Sequence, residues 1–364
     1  MRPLFVCPAL GVGGAERHWA ALLPALAERG AEPSLLTLSD RGALFDGVRA
    51  AGVPARCAGM PSRFRLGRLR RAIAEVEPRP DVVVAYGVSA VLAGRAIARR
   101  AGAPLVVNEH TPLTPDGRML APRPHQRVLG RLIAPRTDAV IAVARAQVEP
   151  LVRRGYRRER IRVIPNGVFD RGPEPARERG GVRAELGAAD GDLLALELAA
   201  LRPEKRVDAF LEAVSAARRA GAAVRGVVAG GGPEHRRLLA GLPEGVTLLG
   251  PRDDVPDLLA AADVLCLLSE AEALPMAILE AMATGLPVVS WDVGDVAHAA
   301  LDGETGAVLP PGDVAGAARA LAELEADRDA ARRMGEAGRR RQRELFDGDR
   351  MADSYLRALE ELRR

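Results

Sequence analysis

The chain has 364 residues, of which 48% are hydrophobic, 27% charged and only 3% aromatic. That is long enough for two domains with separate cores, and its apolar runs are too short for a transmembrane helix. The net charge of +4 hides an asymmetry: residues 1–165 carry 27 arginines against 13 acidic residues, a net +14, and the remainder carries 25 basic against 35 acidic residues, a net −10. An anionic partner is expected for the first half, whereas the few aromatics and the lack of a binding motif argue against nucleic acid. The 3 cysteines lack metal spacing and read as buried free thiols of a reducing compartment. Pro3 to Leu10 reads as a strand that runs straight into a glycine loop, not as a signal peptide, so a cytoplasmic protein is expected.

In the first half, short apolar runs alternate with helical stretches, the pattern of a doubly wound parallel sheet. The expected strands are Leu4–Cys7, Pro33–Leu38, Asp81–Tyr86, Pro104–Asn108, Ala139–Ala144 and Arg162–Ile164. The first leads into Gly11, Gly13 and Gly14 and a helix over Ala15–Arg29, where backbone can approach an anion. The loop lacks the full G-x-G-x-x-G, and no acidic residue clearly ends the second strand, so a dinucleotide reading is poor. Arg63–Arg71 and Arg127–Arg136 interleave arginine with apolar residues. They suit either an anionic membrane surface at the inner face of the cytoplasmic membrane or ordinary amphipathic helices. His110, in Asn108-Glu109-His110-Thr111, falls at a strand's carboxyl end, where open sheets bind ligands. Pro112–Pro124 reads as a loop bordering an acceptor, and residues 171–191 as a linker with one short helix.

The second half is organised around Asp263–Trp291, read as strand, loop, helix, strand. Val264–Leu268 is an apolar run, Ser269–Ala273 a polar loop, and Pro275 suits the first helical position. Met276, Ile278, Leu279 and Met282 give an apolar face that Gly285 closes. Free amides at a helix start favour phosphate, and the carboxylates of Glu272 and Glu280 accept from hydroxyls. Together they describe a nucleotide-sugar site; solvated surface glutamates are the other reading. Of the 52 basic residues only Lys205 is lysine, a candidate for chemistry that needs a compact point charge.

Glu272 and Glu280, with Leu274-Pro275 between them and ATGLPVV after them, resemble the E-x7-E element of the family 4 retaining glycosyltransferases. GGAER, IRVIPNGVFD, LRPEK, GGGP at Gly230–Pro233, VTLLGPRDD and DVGDVAHAA extend the resemblance over nearly the whole chain. It implies an α/β GT-B fold, two Rossmann-like doubly wound domains facing across a cleft. Residues 1–168 would bind the acceptor, with a helix at about 350–364 packing back on them, and residues 169–349 the donor. The implied reaction moves a sugar from a nucleoside diphosphate sugar to an acceptor hydroxyl, in a cell-surface glycan, lipid-linked saccharide or secondary metabolite. It would retain configuration and use no metal or other cofactor.

By the same resemblance His110, Lys205 and Glu272 form the reacting centre. Lys205 would meet the diphosphate, Glu272 the sugar hydroxyls and Glu280 the ribose. Gly13, Gly14, Asn166, Arg202, Gly230, Arg252, Ala273, Leu274, Pro275 and Met276 complete the donor set. The chain departs from the family pattern at Ala144 (usually Ser), Ala200 (usually Arg), Ala273 (usually Gly), Asp295 (usually Gly) and His298 (usually Glu). Arg202 or Arg206 is a candidate to replace the cation missing at Ala200. The alternatives are a nucleotide-sugar epimerase of the same fold and a catalytically silent binding subunit.

Overall fold

The computed structural model describes residues 1–60, 72, 74, 76, 78–120, 133–170 and 175–363. The chain divides into two compact units, each assembled from separated segments. The first comprises Met1–Thr111, Arg118–Gly167 and Gly348–Arg364. Its seven strands are β1 (Pro3–Cys7), β2 (Ser34–Thr37), β3 (Ala55–Cys57), β4 (Val82–Ala85), β5 (Leu105–Glu109), β6 (Ala139–Ala142) and β7 (Ile161–Val163). They pair in parallel in the order β3-β2-β1-β4-β5-β6-β7. β1, β4 and β6 are buried throughout, which is why their sequences read as unbroken apolar runs. The sequence reading missed β3, a three-residue edge strand, Ala-Arg-Cys, with no apolar run to mark it.

The Gly14–Glu28 helix buries Trp19, Leu22, Leu23 and Leu26 on this sheet, with Trp19 edge-on to Phe5. The Gly348–Glu361 helix packs on it through Met351, Ala352, Tyr355 and Leu359. The i, i+4, i+8 spacing of Met351, Tyr355 and Leu359 places them on one face. Each contributes about 1.5–3 kcal/mol of burial. Arg29 fixes the outer edge of that contact, 2.8 Å from Asp349 and 2.6 Å from Asp353.

The second unit comprises Pro112–Gly117 and Val168–Asp347. Its strands are β8 (Leu193–Leu198), β9 (Val224–Ala229), β10 (Val246–Gly250), β11 (Val264–Leu267), β12 (Val288–Trp291) and β13 (Gly306–Leu309). They too are parallel, ordered β10-β9-β8-β11-β12-β13. Phe210, Val214 and Leu321 fill the core against them. The short helix expected within the linker is present over Arg179–Glu185, and it is docked: Arg179 and Arg183 both pair with Asp263, at 2.6 and 2.8 Å. In each sheet the strand order reverses once, at β1/β4 and at β8/β11. Loops leaving the carboxyl ends of strands at such a reversal form a crevice where open α/β sheets take ligands.

Candidate active site

In the second unit, the loops leaving β8 and β11 meet at that reversal. Beyond β8 the chain makes a 3-10 turn over Pro203–Lys205. Beyond β11 it passes through Ser269–Pro275 into the Met276–Thr284 helix. Lys205 Nζ lies 2.6 Å from Glu272 Oε1. Glu272 is buried, its side chain 6% exposed against 19% for Lys205. A buried ion pair of this kind holds only because each charge satisfies the other.

The backbone around Glu272 is clamped from three sides. Leu113 exchanges hydrogen bonds with it in both directions, Leu113 N to Glu272 O at 2.8 Å and Glu272 N to Leu113 O at 3.1 Å. The Pro112–Gly117 stretch thus braces the β11 loop. Glu270 N donates to Glu204 O at 2.8 Å, and Asp295 N to Ala273 O at 2.8 Å. The amides of Glu270 and Glu272 are therefore not free. The amides left for an anion are those of the first turn of the Met276–Thr284 helix, which by helix geometry have no intrahelical acceptor. Pro275 is the N-cap of this helix, one position before the one expected, with extended backbone at φ −70° and ψ 124°. Ala273 and Leu274 are buried within the loop, and Met276 and Glu280 are half-buried on the helix.

Gly294 makes the third clamp possible. Its φ is +61°, and a Cβ there would stand 2.4 Å from Glu272 O and 2.5 Å from Ala273 O. Gly294→Ala is expected to displace the loop and lower stability by more than about 1 kcal/mol. Urea unfolding checks this, and an unchanged midpoint would show that the loop yields freely. Gly230 is similarly constrained: its φ is +155°, and a Cβ would meet Ala199 O at 1.8 Å.

Several expected donor contacts are already engaged elsewhere. The Arg252 guanidinium is held by Asp254 and, at 3.3 Å, by Glu185, so only its backbone is left to serve a ligand. Arg206 binds Asp208 and Glu270 and lies over the Trp291 ring at 6.0 Å, while Arg202 is exposed. Neither arginine is paired with the Glu272 carboxylate that holds Lys205. Glu197, on β8, was not anticipated. It is fully buried, neither carboxylate oxygen has a hydrogen-bond partner, and burial pushes its pKa well above the carboxylate range. Nothing in its apolar strand context marked it as different from a miscast core position.

In the first unit, Gly13 is the N-cap of the Gly14–Glu28 helix, at φ −72°. A Cβ on Gly13 would meet only the mobile end of Glu16, so sterics do not demand glycine there. Glu16 accepts from the Tyr86 hydroxyl at 2.8 Å, beside the β1/β4 reversal. His110 is half-buried just beyond β5, its ring edge-on to His18 and Tyr86. Desolvation lowers its pKa to about 3, so the ring is neutral at physiological pH. Ala144 lacks the usual hydroxyl, and its backbone is held by Gln147. Its Oε1 accepts from the Val143 and Ala144 amides at 2.9 and 3.1 Å, and its Nε2 donates to Thr111 O at 2.9 Å. Asn166 is buried beside Gly167, whose amide donates to Met351 Sδ at 3.0 Å. A cavity of about 910 Å³ opens near β2 and β3, lined in part by Leu35, Phe45, Arg49 and Arg56, and contains none of these candidate residues.

Two family models divide the chain. One, described as Glycosyltransferase Family 4, matches residues 12–170, and the other, Glycosyl transferases group 1, matches residues 179–341. The D-inositol 3-phosphate glycosyltransferase of Xylanimonas cellulosilytica is 30% identical over 381 residues, covering 94% of this chain and 90% of the relative. The chain belongs to glycosyltransferase family 4. The D-inositol 3-phosphate glycosyltransferase of Nocardia farcinica is 32% identical over 252 residues, 64% of this chain, and the match spans 56% of that relative's length. Anabaena HepE in complex with UDP and glucose superposes with a TM-score of 0.84 at 21% identity, covering 99% of this chain and 100% of that one. That likeness establishes the fold, two Rossmann-like parallel sheets of the GT-B type, as expected from the sequence. Of the two segments expected to touch a membrane, Arg63–Arg71 lies outside the described residues, as do positions 127–132 of the other; Ala134–Arg136 is a short 3-10 turn. Among the described residues, no helix is long and apolar enough to cross a membrane.

Proposed function

We propose that this protein transfers a sugar from a nucleoside diphosphate sugar to an acceptor hydroxyl, with retention of configuration. The observation that carries the reading is the buried Lys205–Glu272 pair at the β8/β11 reversal, beside a helix N-terminus. A diphosphate takes over Lys205 as its counter-charge and the first-turn amides of the Met276–Thr284 helix as donors. Glu272, released from the lysine, accepts from the sugar hydroxyls, and Glu280 accepts from the ribose. The leaving phosphate oxygen takes the acceptor proton, so no separate acid and base pair is required. The chain's own cation and amides stabilise the charge that develops on the leaving group, and the reading calls for no metal or other cofactor.

The backbones at Gly13, Gly14, Gly230 and Arg252 complete the donor set, with Asn166 and Arg202 as lesser members. The net +14 of residues 1–165, and relatives named for an inositol phosphate, favour an acceptor that carries negative charge. The same charge suits an acceptor held at an anionic membrane, with the protein on its cytoplasmic face. Vesicles of anionic lipid, with and without soluble acceptor, separate the two. Relatives named as glycosyltransferases favour neither the epimerase nor the silent-subunit alternative.

Thermal shift with a panel of nucleoside diphosphates and their sugars tests the donor site and identifies the base. One nucleotide should give a selective shift. Glu280→Gln should weaken its binding roughly tenfold, the worth of a charge-assisted hydrogen bond. No shift with any nucleotide removes the donor reading, and undiminished affinity in the variant removes Glu280 from the ribose.

A further inference from the structure

Beneath His110 lies a hydrogen-bond network whose donors and acceptors can be counted. Asn108 is 1% exposed in β5, and its amide orientation is fixed twice over. Trp19 Nε1, which can only donate, lies 2.7 Å from Asn108 Oδ1. Asn108 Nδ2 donates to the carbonyl of Ile141, its register partner on β6, at 3.2 Å. Oδ1 is therefore an acceptor and cannot be exchanged with Nδ2 by a flip. His110 Nε2 lies 3.0 Å from this Oδ1. Two acceptors at that distance repel, so Nε2 carries a proton. The ring is neutral and holds only that one, which leaves Nδ1 as a bare lone pair.

We propose that Asn108 is a positioning residue: its side-chain oxygen holds His110 in the Nε2–H tautomer, so that Nδ1 is the acceptor the ring offers to a substrate hydroxyl. The preference is chemical. An acceptor at Nδ1 attracts a sugar hydroxyl, which can donate, and rejects a phosphate or carboxylate oxygen, which cannot. The tautomer follows from the network alone; its use in turnover rests on His110 facing substrate.

Tyr355 is the natural control. Its hydroxyl lies 3.2 Å from the same Oδ1 and 3.1 Å from His18 Nε2. An amide oxygen has two lone pairs, and Trp19 and His110, at 2.7 and 3.0 Å, are its nearer donors. Removing the Tyr355 hydroxyl therefore leaves the His110 tautomer intact, although it disturbs the same buried cluster.

The test is nitrogen NMR on the full chain with 15N-labelled histidine, the His110 signals being assigned by their loss in His110→Gln. Wild type and Tyr355→Phe should both show a slowly exchanging Nε2–H and an unprotonated Nδ1 from pH 5 to 8. Asn108→Ala should lose the slow Nε2–H, and Asn108→Asp, which keeps an acceptor in place, should recover it. In the alanine variant kcat should fall roughly tenfold with donor KM little changed, as expected for one lost orienting hydrogen bond. A wild-type ring protonated at Nδ1, or a slow Nε2–H that survives in Asn108→Ala, overturns the proposal. If Asn108→Ala does not fold, the wild-type and Tyr355→Phe spectra still decide the tautomer. If the spectra are as expected and yet neither His110→Gln nor Asn108→Ala slows turnover, the positioning role is overturned along with the substrate-facing reading of His110, while the donor site of the second unit is untouched.

Discussion

Lys205→Ala is expected to lose turnover and stability together, and the two losses can be separated. As the proposed partner of the leaving diphosphate, the lysine supplies charge stabilisation worth about 10²- to 10³-fold in kcat. As the partner of Glu272 at 2.6 Å, it also neutralises a carboxylate that water barely reaches. Removing it leaves that charge buried and unpaired, at a cost of about 3–5 kcal/mol for a fully buried pair and somewhat less here, where the lysine is 19% exposed. Adding Glu272→Gln removes the unpaired charge. The double variant should therefore regain most of the melting temperature and none of the turnover. If Lys205→Ala retained turnover within about twofold, loss of leaving-group stabilisation could not be its role. If the double variant melted no higher than the single one, the ion pair would not be what the lysine contributes to the fold.

The second large effect concerns Glu197 and the pH dependence of stability. Burial raises its pKa far above that of an exposed carboxyl, so the folded state keeps the proton where the unfolded chain has released it. Above the unfolded value, near pH 4.3, the folded state binds one proton more, and stability falls as pH rises, by up to about 1.4 kcal/mol per unit from this group alone. Glu197→Gln retains the shape and removes the titration. The variant's stability relative to wild type should therefore grow between pH 5 and pH 8, as read by urea midpoints. A difference that stays constant across that range would show that the carboxyl ionises freely in the folded protein. His18 and His110 act in the opposite sense. Burial lowers both pKa values, so their contribution is complete above the unfolded value near pH 6.5 and is lost as pH falls, for His110 toward about 3. The two slopes overlap between about pH 4.3 and 6.5, where the two histidines outweigh the one glutamate, so from these groups stability should peak near pH 6.5.

The strands were legible because both sheets are parallel and covered on both faces, which turns most strands into a plain apolar run. The candidate site was legible where its residues are local in sequence or stand out by type. Glu272 and Glu280 share one loop and one helix, and Lys205 stood out as a lone lysine among arginines. What escaped depended on distant partners. No local signal says that Leu113 would brace Glu272, that Gly294 would lie against its carbonyl, or that Tyr355 would reach Asn108. Nor does a strand such as LLALEL reveal that its glutamate lies sealed in the core. Pro275 was misplaced by one residue because an extended N-cap and a first helical turn accept proline equally well.

The way the chain is threaded has a consequence for biosynthesis. The helix that carries Tyr355 belongs to the first unit but is translated after the whole of Val168–Asp347. As the nascent polypeptide leaves the ribosome, the second unit already has every strand it needs, and Pro112–Gly117 to brace it. The first unit must wait, with the Met351, Tyr355 and Leu359 seat on the Gly14–Glu28 helix uncovered. A chain cut short before Gly348 therefore keeps every strand of both sheets and yet lacks the segment that completes the first unit.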